Sequence, residues 1–137
     1  MLRSIVAVVT GFVVIAVLAI GTNMLLARVA PELFPESGIV THTGALLLAL
    51  AYVAVYATAG CYLAARLAPS RPMLHALVLG VLGLVFNVFG VVATWGQVPA
   101  WYAVAGLVLT MPYAWLGGRL RERELAAAGH AGVATAS

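Results

Sequence analysis

Apolar residues fill four long stretches of this chain, at about 4–28, 43–65, 73–95 and 99–118, and charged residues fall only at their ends. A helix rises about 1.5 Å per residue, so about 20 apolar residues match a hydrocarbon core about 30 Å thick. The pattern predicts an all-α fold, a four-transmembrane-helix bundle. Backbone polar groups inside lipid need internal partners, which favours helices over open strands. The prolines agree with this division. Pro31 and Pro35 follow the first stretch, Pro69 and Pro72 bracket the turn between the second and third, and Pro99 opens the fourth. Pro112 lies inside the fourth stretch and removes one backbone donor there, which predicts a kink near 108–112.

Composition sharpens the picture. Hydrophobic residues make up 64% of the 137, and charged residues only 8%. Soluble domains carry about 25% charged residues. Four spans use residues 1–120 as one transmembrane domain and leave 121–137 as a short cytoplasmic tail. Mixed charges at Arg119 to Glu124 continue helix 4. From Gly129 the Ala/Gly/Thr/Ser run has no apolar face, so the tail is expected to be largely disordered. Met1-Leu2-Arg3 resembles the start of a signal peptide. The apolar run that follows is too long for one, and Arg28 stands where cleavage wants a small residue, so helix 1 is expected to be retained.

Charge placement predicts the topology. Lysine and aspartate are absent. Arg3, Arg66, Arg71, Arg119, Arg121 and Arg123 share one side if both termini are cytoplasmic, and Arg28 alone lies opposite. The positive-inside rule then gives N-in and C-in. These arginines, with His75 beside Arg66 and Arg71, are expected to contact lipid headgroups rather than nucleic acid. Arg28 has Glu32, Glu36 or the headgroups as partners.

Small and polar residues mark the packing faces. On helix 3, Ala76, Gly80, Gly83, Asn87, Gly90 and Thr94 recur at spacings of 4, 3, 4, 3 and 4. On helix 4, Ala103, Gly106, Thr110, Tyr113 and Gly117 form a similar stripe. In lipid, helices associate through close backbone approach, which small residues permit. Ala76, Gly80, Gly83, Asn87, Gly90, Gly106, Thr110 and Gly117 are therefore the expected helix-packing residues. An echo also links the halves. Val17 to Asn23 resembles Val81 to Asn87, and Tyr62 to Leu67 resembles Trp115 to Leu120. It suggests two parallel hairpins related by a pseudo-twofold axis, with chance matching of apolar segments as the alternative.

Candidate chemistry is sparse. Asn23 and Asn87 are the polar residues of most interest. One reading has the pair lining a polar path, and the other has them joining helices 1 and 3, or two protomers, by hydrogen bonds. His42 and His75 fall at opposite ends, so they do not make one metal site, and the lone Cys61 implies neither a disulfide nor a thiolate centre. No Asp, Glu or Lys lies inside a span, which argues against a proton-coupled pump. No nucleophile stands near a base, so no enzyme activity, catalytic residue, cofactor or metal is expected.

The segment Gly60-Cys61-Tyr62-Leu63-Ala64-Ala65-Arg66-Leu67-Ala68-Pro69, with Arg71-Pro72 and His75-Ala76, resembles one in small bacterial membrane proteins with four predicted helices and no characterised function. The resemblance implies a multi-pass protein of the bacterial inner membrane and carries over no functional residue. Two functions follow as expectations. The first is a structural or accessory protein acting through helix–helix contact, in a homo-oligomer or with a larger membrane partner. The alternative is a small facilitative transporter or channel for a neutral solute.

Overall fold

The computed structural model describes residues 2–35 and 37–134, with side chains as far as Gly129. Four helices follow in chain order: α1 (Leu2–Val29), α2 (Thr43–Leu67), α3 (Pro72–Ala93) and α4 (Ala100–Ala134). Local chemistry sets their ends. Ala30 and Pro31 stop α1. Ala68, the residue before Pro69, is extended at ψ 133° and ends α2, as the clash with a following proline ring demands. Pro72 opens α3 at a position where its missing N–H costs no helical bond. The Thr94 hydroxyl closes α3 by donating to the Gly90 carbonyl at 2.9 Å. Three turn residues hold a positive φ, Gly38 at 74° in the α1–α2 connection among them. Gly96 supplies it before α4, at 77°, whereas Arg71 holds 48° before α3 without the freedom of glycine.

Among the described residues, α1, α2 and α3 are long and apolar enough to cross a membrane. The sequence led us to expect four such helices. α4 is the longest, at 35 residues, but Trp101, Tyr102, Thr110, Pro112, Tyr113 and Trp115 dilute its apolar stretch. Pro112 sits within α4 without ending it. The same helix continues through Gly129 to Ala134, where the sequence predicts loss of order. Alanines at 126–128 and 131 favour helix and outweigh the two glycines there. Residues 135–137 of the expected disordered tail lie outside the described residues.

The core reverses the usual distribution of side chains. Its buried cluster is Cys61, Ala64, Ala65, Ala76, Leu79 and Ala114, nearly all small. Large apolar residues point outward on every helix, among them Val13 and Val17, Leu47 and Val55, Phe86 and Phe89, and Val104 and Val108. Soluble monomers rarely expose more than a few hundred Å² of contiguous apolar surface. An apolar belt around a core of alanine and glycine is the pattern of a membrane protein.

Consecutive helices run antiparallel, and α2 and α4 lie side by side in the same direction. α1 packs on α2, α3 on α4, and α2 also meets both α4 and α3; α1 touches α3 slightly and does not meet α4. A pseudo-twofold would give α1–α4 the same contact as α2–α3, so the two hairpins are not placed symmetrically. The fold gathers Arg3, Arg66, Arg71, Arg119, Arg121 and Arg123 at one end, here the arginine end. Arg28 and the α1–α2 and α3–α4 connections lie at the other, the loop end.

Candidate functional site

Glycines bring the backbones together toward the arginine end. A Cβ on Gly117 of α4 would lie 2.7 Å from the Thr58 carbonyl oxygen and 2.7 Å from the Tyr62 nitrogen of α2. One on Gly60 of α2 would strike Ile15 at 2.2 Å and the Gly11 carbonyl at 2.9 Å. One on Gly80 would meet the Ala114 Cβ at 2.4 Å, and one on Gly118 would meet Met73 and Ala76. This half is filled.

The loop-end half is not. Two adjoining cavities open there, of about 390 Å³ and 290 Å³, with Gly38, Val53, Val98 and Tyr102 in the walls of both, and the larger runs on past mid-bundle to a floor of Phe12, Ile15, Cys61, Leu79 and Gly80. The larger reaches Asn87, Thr94, Thr110, Tyr102 and Tyr113, and no charged residue lines it. The smaller reaches Asn23 and Tyr52. The α1–α2 connection turns back over this end. Phe34, only 4% exposed, is driven into the bundle, and Pro35, Gly38 and Val40 face the smaller cavity.

The two asparagines are not brought to each other. Asn23 accepts a hydrogen bond from the Tyr52 hydroxyl, and Thr22 and Tyr56 pair beside it at 2.9 Å. Asn87 donates through Nδ2 to Thr110 Oγ1 at 3.2 Å, and Thr110 in turn donates to the Gly106 carbonyl at 2.6 Å. Each asparagine thus ties the two helices of its own hairpin, not α1 to α3. The Asn87 carbonyl oxygen and the Tyr102 and Tyr113 hydroxyls make no hydrogen bond among the described residues. The larger cavity therefore carries unused hydrogen-bonding capacity in an apolar wall.

The other sequence-derived residues divide clearly. Ala76 is fully buried, and Gly83 and Gly106 stand in ordinary or close contact with Thr110 and Asn87 across α3–α4. Gly90 differs: a Cβ there would meet nothing within 4 Å, and it borders the larger cavity instead. His75, read from sequence as part of a headgroup cluster, is turned inward at 7% exposure, with Nδ1 3.2 Å from the Arg71 carbonyl. Arg119 pairs with Glu122 at 3.2 Å, and Arg121 with Glu124 at 3.0 Å. Arg28 has no carboxylate within 4.0 Å among the described residues; Glu36, one of its expected partners, lies outside them.

Sequence reasoning missed Phe34 and Gly38, whose loop covers the site; an aromatic residue next to proline in a short polar loop was the available signal. It also missed the Tyr62–Glu124 hydrogen bond, 2.7 Å long, which spans 62 residues and has no local signature. The hydrogen bond from Tyr62, with the Arg121 guanidinium, holds the Glu124 carboxyl below its ordinary range. Among the described residues no three of His, Cys, Asp and Glu come together. No protein-family model, no characterised protein and no solved structure matches this chain.

Proposed function

We propose that this chain is a four-span protein of the bacterial inner membrane, with both termini cytoplasmic, that admits a small neutral solute to its loop-end cavity. The observation that carries the reading is the asymmetric filling of the bundle. Glycine and alanine contacts close the bundle toward the arginine end, and above a floor of Phe12, Ile15, Cys61, Leu79 and Gly80 it holds about 390 Å³ bordered by an under-used amide and two free phenols. That volume falls within the usual range for small-molecule sites, about 300–1,000 Å³. No charge lines the cavity, so an ionic solute would lose its hydration without compensation. A mostly apolar molecule with one or two hydrogen-bonding groups suits the walls. With no carboxylate in the spans for proton coupling, passage would be facilitative.

The accessory-protein reading rested on the small-residue stripes. Gly80, Gly83, Gly106 and Gly117 all meet neighbours inside the chain, which weakens their value as a face for a second copy or a larger partner. What still favours that reading is α4, which runs well past the end of α2 and offers a charged helix for docking.

Gly83 separates the two. A Cβ there makes only ordinary contact, at 3.6 Å from Thr110, so leucine at 83 should enter the cavity without moving the helices. A panel of neutral solutes of graded size should include members that raise the melting temperature of the wild type by several degrees. Gly83→Leu and Asn87→Leu should abolish that rise, and proteoliposome flux would distinguish passage from static binding. If no solute shifts the wild type, or if the shift survives Gly83→Leu, the cavity reading fails.

A further inference from the structure

A second recess, distinct from the solute cavity, runs along the outside of the bundle between α2 and α4. It measures about 870 Å³ and is walled mainly by Ala54, Val55, Ala59, Leu116 and Leu120. Ala59 leaves room where a larger side chain would fill it. At the arginine end the apolar wall gives way to Tyr62, Arg123 and Glu124.

The charges there do not cancel. Glu124 is met by Arg121 at 3.0 Å and by the Tyr62 hydroxyl at 2.7 Å. Arg119 is met by Glu122. Arg66 donates to the neutral Tyr62 hydroxyl, at 3.3 Å, and reaches Glu124 only at longer range, without an ion pair within 4.0 Å. Arg123 has no carboxylate within 4.0 Å among the described residues. Arg66, Arg119, Arg121 and Arg123 thus face two carboxylates, Glu122 and Glu124, and leave a net charge of +2 at this end of the trough, with Arg123 in its wall and Arg66 beside Tyr62. Arg66 is in the last turn of α2, the level at which a spanning helix meets headgroups.

We infer that this recess holds one anionic phospholipid, an acyl chain along Ala59 and Leu116 and the phosphate between Arg66 and Arg123. A chain without a charged head would leave the arginines unmatched, and a free phosphate would leave the trough empty. The site requires that the chain lie in a bilayer, and it is independent of what enters the loop-end cavity.

The test is native mass spectrometry of the full chain in detergent, titrated with phosphatidylglycerol or phosphatidylcholine of identical acyl chains. One arginine near an anionic headgroup is worth about five-fold in affinity, so the wild type should prefer phosphatidylglycerol about twenty-fold. Arg66→Gln with Arg123→Gln should reduce that preference to near unity. Ala59→Trp should weaken binding of both lipids, and Arg119→Gln should leave the preference intact; melting temperatures confirm that each variant folds. Equal binding of the two lipids by the wild type would overturn the inference. So would an unchanged preference in the double variant, undiminished binding in Ala59→Trp, or displacement of the lipid by equimolar inorganic phosphate. A lipid-free dimer lost on Ala59→Trp would assign the trough to a second copy instead.

Discussion

The arginine-end and loop-end halves of this bundle are built from similar residues and do opposite things. Toward the arginine end, Gly11 meets Gly60, Gly80 meets Ala114 and Gly117 meets Thr58 and Tyr62, so that backbones nearly touch. Toward the loop end, Gly90 meets nothing, Gly21 meets nothing, and tyrosines and asparagines hold the helices apart by hydrogen bonds. The difference teaches that a small residue in a membrane helix has no fixed meaning. It tightens a crossing where a neighbouring helix lies against it, as at Gly117, and it leaves space where none does, as at Gly90.

The largest break in this comparison should come from Gly117→Leu. The new side chain would press on the Thr58 and Tyr62 backbone and on the Cys61 Cβ, and overpacking of this kind costs about 3 kcal/mol. Gly90→Leu should stay within about 0.5 kcal/mol of wild type, as substitutions away from packed features do. Thermal unfolding in detergent checks both, and equal losses at the two sites would erase the distinction between the halves.

A smaller effect should come from the hydrogen bonds of the open half. Double-mutant cycles on Asn23 with Tyr52, and on Asn87 with Thr110, should each give about 0.6 kcal/mol, and not more than about 2. A coupling near zero for both pairs would mean that the open half is held by van der Waals contact alone, like the closed one.

The smallest effect concerns the closed end. Tyr62 and Arg121 lower the Glu124 pKa. A lowered carboxyl pKa in the folded state favours folding above the ordinary value, and that contribution is lost as pH falls through the lowered one. The tie between α2 and α4 is therefore complete at neutral pH and loosens only in acid, below the ordinary carboxylate range. Tyr62→Phe should move the Glu124 titration midpoint upward, toward the ordinary carboxylate value, in a carbon-13 NMR titration. An unmoved midpoint would show that the hydroxyl contributes nothing.

Helix positions were legible because apolar runs and prolines are local signals. The sequence-derived starts at 43 and 73 meet observed starts at Thr43 and Pro72. The far end of α4 was not legible. The lack of an apolar face from Gly129 onward suggests disorder there, whereas α4 runs on to Ala134. Nothing in the α3 stripe of small residues distinguishes Gly80, pressed on Ala114, from Gly90, left open. The difference depends on which α4 residue lies opposite, and the antiparallel register is set by the whole hairpin. The same limit hid the partners of the asparagines. Their cost in hydrocarbon was evident from residue type, but Tyr52 and Thr110 became partners only through the docking of helices.

The length of α4 has a mechanical consequence. The Glu124 side chain ties it to Tyr62 of α2, and the helix runs on to Ala134, about 15 Å farther at about 1.5 Å per residue. The same rigid rod carries Gly106, Thr110 and Tyr113 along the wall of the cavity. Its close contact with α2 at Gly117 lies between these two segments and acts as a fulcrum. A tilt of α4 by a few degrees to admit a guest at one end would swing the far tip by an ångström or more, as a needle on a dial reports a displacement too small to see at its pivot.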